Sequence, residues 1–87
     1  MHEDTAKLLA QGAAAEALLA DPTFIETIAD IKQAYTDILF GSSYAETAKR
    51  EHAYSMVRAL GDIVSLLQAR TTAKDQYVLN LEQDETL

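Results

Sequence analysis

The sequence predicts an all-α protein whose core is an antiparallel helical hairpin spanning residues 22–70. Apolar residues recur at steps of three and four in two long segments, which is the period of one face of an α-helix. Helix-start signals precede both segments, and the two residues Ser42 and Ser43 between them form a short loop. We therefore expect the two segments to fold back on each other, flanked by an N-terminal helix at 5–20 and a C-terminal extension at 71–87. The 87 residues are expected to form one domain.

The N-terminal helix is predicted from the alanine-rich stretch 13–20, because alanine has the highest helix propensity. Gly12 is expected to weaken it by about 1 kcal/mol relative to alanine. Since alanine buries little apolar area, this helix requires a partner surface. Its sparse apolar stripe consists of Leu8, Leu9, Leu18 and Leu19.

The second helix is predicted to begin at Asp21-Pro22, because aspartate accepts hydrogen bonds from free N–H groups and proline fits the first helical position. Gly41 is expected to cap its C-terminus through a positive φ. The predicted buried face carries Phe24, Ile28, Ile31, Tyr35 and Ile38.

The third helix is predicted to start with a capping box formed by Ser43 and Glu46 and to continue for about six turns to Leu67. Gly61 lies inside it, where we expect close packing of another helix. Beyond Arg70 the pattern is ambiguous, because residues 76–82 alternate in a way that suits either a strand or a further helical turn.

Composition excludes several classes of function. The chain has no cysteine, a net charge of −7 and no long apolar run, so a thiolate metal site, a membrane span and direct phosphate binding are not expected. His2 and His52 are too few to complete a metal site. Because no nucleophile, base and stabilising group can be assembled, we expect neither an enzyme nor a cofactor.

Two groups of residues are candidates for partner binding. Arg50, Tyr54 and Arg58 follow one another at steps of four, and tyrosine and arginine are enriched in binding hot spots. In the extension, Tyr77, Leu79 and Leu81 would share one face of a strand that pairs with another molecule.

Three short motifs follow one another along the chain: Leu18-Leu19-Ala20-Asp21-Pro22-Thr23-Phe24, Lys49-Arg50-Glu51-His52 and Val57-Arg58-Ala59-Leu60. Their order resembles a family of small acidic helical proteins of tailed bacteriophages, over about residues 18–74. After the long helix this chain has Thr71-Thr72-Ala73-Lys74, where the family continues with a Gly-Lys-like turn.

The resemblance implies a virion structural protein or an assembly factor, in the virion or the host cytoplasm. Because a helical hairpin of this size is marginally stable alone, we expect a homo-oligomer or multiple copies that bind portal, capsid or head–tail components through helix packing. It implies no catalytic residue. Two alternatives remain open: an acidic inhibitor or regulator of a host or phage nucleic-acid enzyme, and a small DNA-packaging subunit, which the net charge disfavours.

Overall fold

The computed structural model describes residues 3–85 as three α-helices. These are α1 (Glu3–Ala20), α2 (Pro22–Gly41) and α3 (Thr47–Glu85), and there is no strand between residues 3 and 85. The predicted all-α class is therefore confirmed.

The predicted start of α2 is also confirmed, because Asp21 is its N-cap. The Asp21 backbone is extended, and its Oδ1 accepts hydrogen bonds from the N–H of Thr23 at 2.9 Å and of Phe24 at 3.4 Å. The side chain thereby satisfies donors that a helix leaves free at its first turn. Only this one residue separates α1 from α2.

The turn between α2 and α3 differs from its prediction at both ends. Gly41 is the last helical residue, and no glycine within residues 3–85 has a positive φ. Instead, Ser42 is the C-cap residue, and its hydroxyl donates a hydrogen bond to the carbonyl of Ile38. Since that hydroxyl satisfies one of the last free carbonyls, the helix end does not require a left-handed glycine.

The start of α3 lies at Thr47, after the predicted capping box. The Glu46 carboxylate does accept the Ser43 N–H at 3.0 Å, which is half of a capping box, but the Glu46 carbonyl accepts the first helical N–H, from Arg50. The bonds from Ser43 and the nearby Lys49 ammonium, 3.3 Å away, lower the pKa of Glu46. Glu46 thus directly precedes α3 and accepts its first backbone hydrogen bond.

Helix α3 has 39 residues and continues through the predicted extension as far as Glu85. Residues 76–82, for which a strand and a helical turn were both open, are helical in the structure. Thr86 and Leu87 lie outside the described residues. At 1.5 Å per residue the helix is about 58 Å long, close to the full length of a molecule that measures 63 × 23 × 22 Å.

Helices α1 and α2 pack on different halves of α3. The ring of Tyr35 in α2 meets that of His52 edge-on, with centroids 6.0 Å apart, whereas Glu16 in α1 pairs with Lys74. Because the two shorter helices follow each other along the long one, most cross-sections of the rod contain only two helices.

The close approach of two helices occurs at Gly12 and not at Gly61, where it was predicted. A Cβ at position 12 would lie within 3.0 Å of the Cβ of Lys74 and 2.9 Å from the carbonyl oxygen of Arg70. A Cβ at position 61 would have no heavy atom within 4 Å. Gly12 therefore allows α1 to reach the α3 backbone, and Gly61 faces open space.

The core of this rod is small. Among the residues whose burial is described, the buried hydrophobic side chains are Ala15, Ala53 and Leu60, and no large side chain is completely buried. Two alanines and one leucine contribute little burial energy at about 25 cal/mol per Å². The fold therefore leaves most of its apolar side chains half-buried or exposed.

Candidate partner-binding surface

The rod offers shallow grooves between its helices. Two open grooves, of about 400 and 460 Å³, follow the two sides of the contact between α1 and α3. Residues 3–85 contain no cluster of three potential metal-ligating side chains. None of their helices is long and apolar enough to cross a membrane. The first groove is lined by Asp4, Lys7, Leu8, Gln11, Ala69, Arg70 and Ala73.

The predicted strip on α3 consists of residues with different roles in the structure. Arg50 is half-buried, and its guanidinium donates to the carbonyls of Ser43 and Tyr44, the latter at 3.2 Å. Tyr54 and Arg58 are exposed, and the Arg58 guanidinium lies 6.0 Å from the centre of the Tyr54 ring. Arg50 thus holds the turn, while the Tyr54–Arg58 pair is accessible to a partner.

The second predicted group lies on a helix and not on a strand. Tyr77 is half-buried, whereas Leu79 and Leu81 are exposed. Successive residues of a helix are about 100° apart, so Tyr77 and Leu81, four residues apart, lie on one face and Leu79 lies on another. Leu79 lines the second groove together with Leu9 and Val78.

Two aromatic residues that the sequence reading did not select are the most exposed large apolar side chains of the described chain. Phe40, at the end of α2, is 87% exposed, and Tyr44, in the turn, is 95% exposed. Phe40 lies outside the apolar stripe of α2, and this position could have indicated from the sequence that its side chain is exposed. Tyr44 carried no comparable signal, because turn residues have no period.

Hydrogen bonds fix the turn that follows Phe40 and carries Tyr44. Its ends are tied by Ser42 to Ile38 and by Ser43 to Glu46, and Arg50 binds the carbonyls in between. A fixed turn presents Tyr44 in a defined position, so binding would cost little ordering entropy. We call Phe40 and Tyr44 the aromatic tip.

Exposed apolar side chains continue along the rod beyond the aromatic tip. The molecule exposes 6477 Å², whereas a compact monomer of its mass exposes about 5,000 Å². The difference is of the order that a protein–protein interface buries on one partner. The other exposed large apolar residues are Leu18, Ile25, Ile31, Tyr54, Ile63, Leu66, Val78, Leu79 and Leu81.

Charged side chains form ion pairs at the contact between α1 and α3. The Lys74 ammonium binds the Glu16 carboxylate and lies 3.5 Å from Asp75, and the hydrogen bond to Glu16 raises the pKa of Lys74. Such accessible ion pairs contribute little to stability, so they align the helices more than they hold them together.

No family model, no curated protein and no solved structure matches this chain.

Proposed function

We propose that the protein is a non-enzymatic structural or assembly subunit of a bacteriophage particle, which binds a portal, capsid or head–tail component by helix packing. In this proposal α2 and α3 are the antiparallel hairpin core. The observation that carries it is the exposed apolar surface of a rod whose own core is small. Large apolar areas on a folded chain are typical of surfaces that other chains cover.

The aromatic tip is the contact with the larger particle in this proposal. Exposed aromatic anchors contribute much of the energy of many interfaces, and an anchor on a fixed turn loses little entropy on binding. Both residues are almost fully exposed. The backbone of Tyr44 is held by Arg50, and that of Phe40 belongs to α2. The family resemblance of residues 18–74 is what points to a phage particle.

Replacing both tip residues, Phe40→Ser with Tyr44→Ser, should remove the protein from particles while leaving its fold intact. Because neither side chain is packed, circular dichroism and the melting temperature should stay close to those of the wild type. The measurement is quantitative mass spectrometry of purified virions assembled with each variant, with Tyr54→Ser as the matched control.

We expect the wild type and Tyr54→Ser at a defined copy number per virion, and the double variant at a copy number at least tenfold lower. Equal incorporation of the double variant would remove the tip from the interface. Absence of the wild type from virions and from assembly intermediates, combined with salt-sensitive competition with DNA for an enzyme, would favour the acidic inhibitor instead.

A further inference from the structure

One side of the α2–α3 half carries an apolar face without charged side chains. Residues seven apart lie on the same side of a helix, so α3 presents two adjacent rows there. Ile63 and Leu66, in the middle of these rows, are 45% and 53% exposed. The rows are His52, Met56, Ala59, Ile63 and Leu66.

Helix α2 continues the same face. The Tyr35–His52 contact joins α2 to one of the α3 rows, and Ile31 lies one turn before Tyr35. Ile31 is 39% exposed although its position belongs to the predicted buried stripe. The α2 row consists of Thr27, Ile31, Ala34 and Ile38, and Thr27 satisfies its hydroxyl within its own helix, on Thr23 at 2.7 Å.

The absence of charge on this face is unusual for the chain, because 24% of its residues are charged. In the middle of α3, Arg58 lies on another side of the helix, whereas Asp62 borders the rows, one turn from Ala59 and Leu66. On α2, Asp30 borders the face in the same way, one turn before Ala34. Past Leu66 the same side becomes the first groove, whose lining includes the charged side chains of Asp4, Lys7 and Arg70. The uncharged face is therefore limited to the half of the rod that α2 and α3 form.

We infer that a second copy of this chain covers this face, so that two α2–α3 hairpins pack as a four-helix bundle about a two-fold axis. Such a bundle would bury apolar residues from four helices where each cross-section of one rod has only two. The rod as a whole exposes roughly 1,400 Å² more than a compact monomer of its mass, against about 800 Å² that each partner buries in a typical stable interface. Pairing goes beyond the proposed function and holds with or without a virion.

The two rods run antiparallel in this dimer. The end at which α1 begins and α3 ends is acidic, with Glu3, Asp4, Glu82 and Asp84. A parallel pair would bring two acidic ends together, and their repulsion is unfavourable. The antiparallel pair keeps these ends apart and places Ala59, the middle of the α3 rows, next to its own copy.

The first test is sedimentation equilibrium of wild type, Leu66→Glu and the matched control Ser65→Glu, from roughly 1 to 100 µM. The wild type and Ser65→Glu should have twice the chain mass of 9.5 kDa. Leu66→Glu should have the chain mass, because the dimer would bury the added carboxylate in its interface. Its helical circular dichroism should be retained, because position 66 is 53% exposed in the single chain. A monomeric wild type, an assembly larger than two, or a dimeric Leu66→Glu would overturn the inference.

The second test uses single cysteines in a chain that has none of its own. Under mild oxidation Ala59→Cys should form a covalent dimer, because an antiparallel axis brings position 59 of both copies within disulfide reach. Ser65→Cys and Leu66→Cys should remain uncross-linked. Cross-linking of Leu66→Cys as efficiently as Ala59→Cys would contradict the antiparallel arrangement. Cross-linking of Ser65→Cys alone would show that another side of α3 forms the interface.

Discussion

Gly12→Ala should destabilise the protein even though alanine is the better helix former. The added Cβ would overlap the Cβ of Lys74 and the carbonyl of Arg70, and neither atom is the free end of a flexible side chain. Overpacking of this kind costs about 1 to 3 kcal/mol and exceeds the roughly 1 kcal/mol gained in propensity. At this chain length each kcal/mol corresponds to about 4 to 8 °C in melting temperature.

Gly61→Ala is the matched control, with the opposite sign. Nothing lies within 4 Å of the added Cβ, so only the propensity gain of about 1 kcal/mol remains and the melting temperature should rise. Thermal melts at one protein concentration compare the two variants. Stabilisation by Gly12→Ala equal to that by Gly61→Ala would show that α1 does not approach α3 at Gly12.

Leu60→Ala should cause the largest loss of stability among single truncations of the described chain. Leu60 is 7% exposed and is the only large side chain in the small core of the described residues. Truncating a buried leucine costs about 2 to 5 kcal/mol, which is comparable with the whole stability of a small domain. Urea unfolding followed by circular dichroism measures the loss.

Leu79→Ala provides the comparison for Leu60→Ala, because it removes the same atoms from an exposed position on the same helix. Its free energy of unfolding should change by less than about 1 kcal/mol. Similar unfolding midpoints for the two variants would mean that Leu60 is not the centre of the core.

Local signals in the sequence predicted the helices well. Asp21-Pro22 specifies a helix start through its own hydrogen bonds, so it could be recognised without tertiary information. The apolar period likewise predicted α2 and the first half of α3. The extension was ambiguous because its alternation fits two periods, and only packing of α1 against this half of α3 favours the helix.

Positions whose role depends on another helix could not be predicted in this way. Gly12 and Gly61 look alike in sequence, and the difference lies in whether a backbone passes in front of them. Ile31 fits the buried stripe by spacing, yet no third helix covers it. The exposed Tyr44 depends on a turn that Arg50 closes from six residues away, a distance at which no periodic pattern operates.

Because we propose that other chains complete this fold, its stability should depend on the protein concentration. Association of folded chains stabilises them by mass action, so the melting temperature should rise steadily between roughly 1 and 100 µM. Leu66→Glu should melt at a lower temperature that does not change with concentration. A wild-type melting temperature that is the same at every concentration would contradict the pairing of chains, because the rod would then be stable alone.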